Sequence, residues 1–233
     1  YFLGNPEGLI FDVLCESFSD GLWRPFARYL EGLGAEIRTG AAARSVARVD
    51  QQWRVTGDGF DPHTADAVVL GLTVPALQEI VGASPDLDDP AWRAAVEHLD
   101  VTLPFAVWRF WTDRPAAPER HPFVGTAGLG NIDNISLFEL FEGESRRHVM
   151  RQGGSVVEVH AYAVPPETDQ DELKEFFRTR LVELYPEFAD TPILEERWLW
   201  RQDCPAFGPG SRGSRPTAVT PFAGLTLAGD FVR

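Results

Sequence analysis

The sequence predicts a mixed α/β (α+β) fold, and two observations support that prediction. Stretches with strand character alternate with stretches of helical periodicity, as in "TADAVVLGLTVPALQEIVG", where a strand leads through a loop into a helix. Hydrophobic residues make up 44% of the 233 residues and charged residues 24%, an ordinary balance for a globular chain with a real core.

The first third of the chain predicts one helix followed by short strands. In "SFSDGLWRPFARYLEGLG" apolar residues recur at helical spacing, Pro25 falls in the first turns, and Gly34 suits the C-terminal stop. Strands are then predicted around four groups of apolar residues: Ile37; Val46 and Val49; Trp53 and Val55; and Val68, Val69 and Leu70. A short helix follows the loop that contains Pro75.

The middle of the chain predicts a second set of helices and strands. "DDPAWRAAVEHL" and "TDQDELKEFFRTRLVELYP" have helical periodicity, and Thr168 with Asp171 resembles a capping box. Strands are predicted for "VTLPFAVWRFW", "DNISLFELF", "SVVEVHAYAV" and "PILEERWLWRQ". At the end of the chain, Leu225, Leu227 and Ala228 indicate a short buried strand.

The net charge of −14 excludes some partners and leaves others open. Nucleic-acid binding requires a basic surface, and attachment to anionic lipid requires basic clusters, so we expect neither. An apolar contact with a membrane stays open, although no apolar run is long enough to cross one. Cys15 and Cys204 lack metal or redox spacing, which favours two buried thiols over a disulfide and predicts no metal site. The expected location is the reducing cytoplasm, with or without membrane association.

Two strands carry candidate functional side chains. In "EVHAYAV" the alternation places Glu158, His160 and Tyr162 on one face, where they could perform acid–base chemistry or simply face water or a helix. In "PFAVWRFW" both faces are bulky, which is typical of a strand buried on two sides or of one that lines an apolar cavity. "GPGSRG" matches a dinucleotide fingerprint only formally, because no helix follows it.

Three stretches together resemble a known superfamily. "GAEIRTGAAARSVARVD", "TADAVVLGLTVPAL" and "GLTLAGDFVR" have the order and separation found in FAD-dependent amine oxidases and carotenoid desaturases. "DNISLFELFEGESRRHVMRQGGSVVEVHAYAV" and "RQDCPAFGPGSRGSRPTAVTPFAGLTLAGD" resemble the bacterial isorenieratene synthase group of β-carotene desaturase/methyltransferases. The superfamily's N-terminal glycine-rich βαβ unit has no counterpart here. Since the first residue is not Met and the last strand ends abruptly, we expect a piece of a longer protein.

The resemblance implies a fold, a cofactor and a set of residues that bind it. The expected architecture is a mixed β-sheet substrate-binding domain with helices, plus an incomplete Rossmann-like FAD-binding portion. Its segments would be 1–83 on the FAD side, 84–205 for substrate, and 206–233 for the closing flavin-contacting strand. The implied FAD-binding residues are Val46, Gly71, Leu72, Gly229 and Asp230.

The implied reaction is flavin-dependent desaturation of a carotenoid β-ionone ring, with a methyl shift that makes the ring aromatic. A shifting methyl group implies a cationic ring, which aromatic faces stabilise. The candidate substrate-binding residues are Trp108, Phe110 and Trp111, and no catalytic base is assigned. Two alternatives stay open: an apolar-ligand-binding domain without activity of its own, and a FAD-dependent amine oxidase. Oligomeric state is left open.

Overall fold

The computed structural model describes residues 12–233, so most of the opening stretch "YFLGNPEGLIFDVL" lies outside the described residues. The helices are α1 (Arg24–Gly32), α2 (Val74–Gly82), α3 (Pro90–Glu97), α4 (Gly143–Gln152) and α5 (Gln170–Leu184). The strands are β1 (Ala42–Val49), β2 (Gln52–Asp58), β3 (His63–Ala65), β4 (Val68–Leu70), β5 (Phe105–Thr112), β6 (Phe123–Gly125), β7 (Asn134–Leu137), β8 (Val156–Ala161), β9 (Ile193–Arg201) and β10 (Leu225–Leu227). These helices and strands confirm the predicted mixed α/β class.

The chain divides into two compact units, each made of two separated segments. Unit 1 contains the described part of Tyr1–Ile37 and all of Pro104–Arg201, and unit 2 contains Arg38–Leu103 and Gln202–Arg233. The sequence instead placed its divisions after residues 83 and 205. The difference arises because α3 packs with α2, and the side-chain amide of Gln78 donates to the carbonyl of Leu99 at 2.9 Å.

Unit 1 is built on a five-stranded antiparallel sheet in the order β6-β7-β8-β5-β9. One face of this sheet packs against α5 in a single apolar core. The fully buried rings of this core include Trp108, Phe110 and Phe177. Burial of such rings is the main favourable contribution to folding of this unit.

Two helices of unit 1, α5 and α1, differ in detail from what the sequence predicts. Asp169 caps α5, since its carboxylate accepts from the backbone N–H groups of Asp171 and Glu172 at 2.9 and 3.0 Å. The predicted capping pair of Thr168 and Asp171 is therefore wrong by one position. α1 follows a π-helical turn at Ser19–Trp23, and two of its large apolar side chains are exposed, Phe26 to 47% and Tyr29 to 63%.

Unit 2 combines a three-stranded antiparallel sheet, β1-β2-β3, with a two-stranded parallel sheet, β10-β4. α2 and α3 pack on these strands, and the shared core includes Val46, Trp53, Leu77 and Leu225. The parallel pairing of β4 with β10 is the feature expected of an incomplete Rossmann-like portion.

Several smaller expectations were wrong. Ile37 lies outside any strand, and β3, β6 and α4 were not predicted. Cys15 and Cys204 are both exposed free thiols, because each lies in a loop rather than in either core. Within residues 12–233, no helix has the length and apolar character needed to cross a bilayer.

Candidate functional site

The carboxyl ends of β4 and β10 lie side by side in unit 2. The two strands pair in parallel, with Leu70 opposite Leu227, and the backbone N–H of Ala228 donates to the carbonyl of Leu70 at 3.1 Å. Gly71 and Gly229 therefore leave the sheet at the same edge. In open parallel sheets this edge is where nucleotide ligands bind, so the structure brings together two predicted FAD-binding segments that are far apart in sequence.

The β4 side of this edge is open above Gly71. A Cβ atom built on Gly71 would meet no other atom within 4 Å, and the residue is exposed. The next residue, Leu72, is half-buried and packs against the core of unit 2. Gly71 thus offers backbone that a ligand can approach, while Leu72 holds the strand end in place.

The β10 side presents a carboxylate on a glycine turn. Gly229 has φ of 151°, and a Cβ there would lie 2.5 Å from the ring of Phe231. Phe231 is buried in the unit 2 core, so the missing side chain of Gly229 makes room for this ring. Asp230, between them, is exposed. This turn therefore places the ring of Phe231 in the core and leaves the carboxylate of Asp230 exposed at the carboxyl edge of the parallel strands.

Val46 lies in the same unit but has a different environment. Its side chain is buried in the core with Leu70 and Leu225, and its backbone N–H donates to the hydroxyl of Ser84 at 2.9 Å. The adenine contact implied for the Val46 backbone stays a prediction. In this structure the hydroxyl of Ser84 accepts the backbone amide hydrogen of Val46.

The residues at the edge fit the flavin nucleotide. Bare backbone at Gly71 allows close approach, and the exposed carboxylate of Asp230 can accept hydrogen bonds from ribityl hydroxyls. Both features would suit a bound FAD.

A second candidate site lies on the unit 1 sheet, on the face opposite α5. The carboxylate of Glu158 accepts from Nε of Arg109 at 2.5 Å and contacts Nε2 of His160 at 2.6 Å. The other ring nitrogen of His160 lies 2.8 Å from the hydroxyl of Tyr162. The side-chain amide of Asn134 donates to the same hydroxyl at 3.3 Å. Five side chains thus form one continuous polar chain.

The charged and hydrogen-bonding neighbours of Glu158 in this polar chain keep its carboxylate ionised. Burial by itself would raise the pKa of Glu158, but the hydrogen bond from His160 and the charge of Arg109 outweigh it and hold the pKa below its usual value. The guanidinium of Arg109 also lies over the ring of Phe138, 3.9 Å from its centroid. Arg109 is therefore held between a carboxylate and an aromatic face.

The three aromatic residues predicted to bind substrate do not share one face. Trp108 and Phe110 are 0% and 1% exposed and lie in the core under α5, where the indole N–H of Trp108 donates to Glu196 at 2.9 Å. This is the buried-strand interpretation that the sequence left open. Trp111 is half-buried and points to the opposite face, which also bears Arg109.

Sequence reasoning found three members of the polar chain and missed two. Alternation in β8 is enough to align Glu158, His160 and Tyr162. Arg109 and Asn134 join them only through strand pairing, since Arg109 lies opposite Glu158 and Asn134 opposite His160. The available signal was a single arginine within the apolar strand "PFAVWRFW".

A fold with a parallel-strand edge of this kind is typical of nucleotide-binding proteins. The chain belongs to the family described as flavin containing amine oxidoreductase, whose sequence profile matches residues 11–233. Two curated proteins are similar to this chain in sequence, and both are called carotenoid phi-ring synthase. The chain is 42% identical to the Streptomyces griseus protein, an alignment covering 100% of this chain and 45% of that protein. It is 34% identical to the Chlorobaculum tepidum protein, covering 72% of this chain and 26% of that one.

Solved structures show the same fold at low sequence identity. An oxidoreductase from Methanosarcina mazei superposes with a TM-score of 0.66 at 19% identity, covering 93% of this chain and 50% of that one. A triple mutant of putrescine oxidase superposes with a TM-score of 0.63 at 15% identity, covering 90% and 47%. The chain thus spans about half the length of these proteins, and its resemblance to them concerns the fold.

Proposed function

We propose that this chain is part of a FAD-dependent oxidoreductase that desaturates a carotenoid, converting a β-ionone ring into an aromatic ring with a methyl shift. The observation that supports this most is the 42% identity, along the whole chain, to a carotenoid phi-ring synthase. Membership of a flavin-containing family supports the choice of cofactor.

In this proposal unit 2 holds part of the flavin nucleotide. Gly71 and Gly229 offer backbone at the carboxyl ends of parallel strands, and Asp230 hydrogen-bonds the ribityl or phosphate region. When bound, the flavin supplies the hydride acceptor that carotenoid desaturation requires. The chain itself supplies binding, orientation and the exclusion of water.

The open sheet face of unit 1 is the proposed substrate surface. It carries half-buried apolar side chains from β5, including Phe105, Val107 and Trp111. An apolar ring system fits such a surface, and Trp111 is the aromatic candidate for cation–π contact with a cationic ring. Trp108 and Phe110 would support this surface from the core side.

Retention of FAD by an Asp230→Ala variant tests the cofactor site. In the full-length protein we expect the variant to lose FAD on gel filtration more readily than wild type, because it lacks the proposed hydrogen-bond acceptor. Asp61→Ala is the matched control, since Asp61 is another exposed carboxylate of unit 2. Equal flavin-to-protein absorbance ratios in all three proteins would remove Asp230 from the site.

A substrate assay tests the reaction itself. Full-length protein with FAD and a β-ring carotenoid in vesicles should bleach the flavin without oxygen and yield a carotenoid with an aromatic ring. Flavin bleaching by an amine but not by the carotenoid would support the amine oxidase alternative. Carotenoid binding without bleaching would support the ligand-binding alternative.

A further inference from the structure

The polar chain on the unit 1 sheet runs from a buried carboxylate to an exposed phenol. Glu158 is 8% exposed, whereas Tyr162 is 50% exposed. Between them, the His160 ring contacts Glu158 through one nitrogen and Tyr162 through the other. A chain of hydrogen bonds with one buried ionised end and one accessible end has the geometry of a proton relay.

Donor and acceptor rules determine the direction of each hydrogen bond. An ionised carboxylate only accepts, so Nε2 of His160 must carry the hydrogen that points to Glu158. In the neutral ring Nδ1 is then an acceptor, and the hydroxyl of Tyr162 must donate to it. The tautomer of His160 therefore follows from the ionisation of Glu158.

Among residues 12–233, the hydroxyl oxygen of Tyr162 has one acceptor position that no other group occupies. It donates its hydrogen to His160 and accepts one hydrogen bond from the amide of Asn134. A phenol oxygen accepts two hydrogen bonds, so one lone pair is left on the exposed side chain. The backbone N–H of Tyr162 is held by the carboxylate of Asp133 at 2.6 Å, which anchors the residue just beyond β8.

The proposed reaction needs such an acceptor. Each new ring double bond requires the loss of one hydride and one proton, and a bound flavin would supply an acceptor for the hydride only. We propose that Tyr162 accepts this proton while its own hydroxyl proton moves to Nδ1 of His160, an inference that rests on the proposed function. The ring C–H bond breaks, and its electron pair becomes the C=C bond.

Each member of the chain then has a defined part in this step. An O–H bond forms on Tyr162 as the old one breaks, and an N–H bond forms on His160. The resulting imidazolium is stabilised by the carboxylate of Glu158, which Arg109 holds in place through the 2.5 Å hydrogen bond. Tyr162 is the catalytic residue, and the other four side chains of the polar chain, including Asn134, are positioning residues. The proton later returns through the accessible hydroxyl of Tyr162 to water.

The decisive variants are Tyr162→Phe and His160→Gln in the full-length, FAD-loaded protein. Phenylalanine keeps the ring but has no oxygen, and glutamine keeps a donor to Glu158 but cannot take a proton. We expect both variants to lower formation of the aromatic product by about 100-fold or more, the usual contribution of general acid–base catalysis. Tyr29→Phe, another exposed tyrosine of unit 1, should leave the rate unchanged.

Two readouts separate this role from a structural one. Wild-type product formation should slow in D₂O because the hydroxyl hydrogen of Tyr162, which exchanges with solvent, moves to His160 in the step. This isotope effect should vanish in the Tyr162→Phe variant. Independently of activity, ¹⁵N NMR of His160 should show the Nε2–H tautomer, and Glu158→Gln should disturb it. A ring protonated only on Nδ1 would overturn the relay directly.

The outcomes for the proposed function and for this inference are distinct. If wild-type protein does not bleach its flavin with a carotenoid, the proposed function is wrong and this inference falls with it. If wild type is active and both variants retain its rate and isotope effect, the carotenoid reaction stands and the relay is overturned.

Discussion

Replacing Glu187 with glutamine should destabilise the protein at neutral pH and much less in acid. Glu187 makes a two-point ion pair with Arg120, with contacts of 2.8 Å to Nε and 2.7 Å to Nη2. It also accepts from the backbone N–H of Ala117 at 3.1 Å. The guanidinium of Arg120 lies 4.3 Å from the ring centre of Tyr185, which fixes the pair against the core.

The magnitude follows from the pKa of Glu187. The hydrogen bond from Arg120 is the main cause that lowers this pKa from 4.5 to about 2. At about 1.4 kcal/mol per pKa unit, the full difference between these two pKa values would correspond to roughly 3 kcal/mol of stability. Since water reaches the pair, screening reduces the expected loss in the Glu187→Gln variant to about 1–2 kcal/mol at pH 7.

The direction in which folding changes the pKa of Glu187 determines how stability depends on pH. Because folding lowers the pKa of Glu187, its stabilisation is fully present above about pH 4.5 and is lost as the pH falls toward 2. Urea unfolding of both proteins between pH 7 and pH 3 should therefore give stability curves that converge toward acid.

An exposed ion pair provides the control for this experiment. Glu183 pairs with Arg180 on α5, and both side chains are about half exposed. Glu183→Gln should change the free energy of unfolding by about 0.5 kcal/mol or less at any pH. A Glu187→Gln deficit that stays the same at pH 3 as at pH 7 would refute the assignment to charge.

Two further pairs of substitutions test local structure through the free energy of unfolding. Gly154→Ala should cost more than about 3 kcal/mol, because φ is +81° and the new Cβ would lie 1.7 Å from the carbonyl oxygen of Thr112. Gly153→Ala shares the positive φ but has free space, so a cost above about 1–2 kcal/mol would contradict the steric argument. Asp169→Ala should cost about 1 kcal/mol through loss of the α5 cap, whereas Thr168→Ala should cost less than about 0.5 kcal/mol. Equal costs at these two positions would restore the capping pair that the sequence suggested.

The long elements were predictable because each carries a sustained apolar pattern. β5 is apolar on both faces except at Arg109 and Thr112, β8 alternates apolar and polar residues from Val157 to Ala161, and α5 has an apolar stripe of Leu173, Phe177 and Leu181, all buried. α4 was not predictable in this way, since its one buried residue is Ser145 and its sequence has no apolar stripe. β3 and β6 have three residues each, too few to establish a period.

Burial of individual side chains was harder to predict than the elements that bear them. Trp23 and Phe26 have helical spacing, yet both are exposed on or beside α1. Trp108 and Trp111 belong to one strand, yet only Trp108 is in the core. A period shows which residues share a face, but the packing of another element decides whether that face is covered.

The sequence alone determined the class of fold and which long segments are helices and which are strands. It also determined that Glu158, His160 and Tyr162 share one face of a strand. All of these depend on local periodicity. Tertiary structure decided which distant residues meet. Parallel pairing of β4 with β10 brings Gly71 beside Gly229, and the pairing of β5 and β7 with β8 adds Arg109 and Asn134 to the polar chain. Strand partners are selected by burial of whole sheet faces and by hydrogen bonding between segments far apart in the chain, which no local pattern encodes.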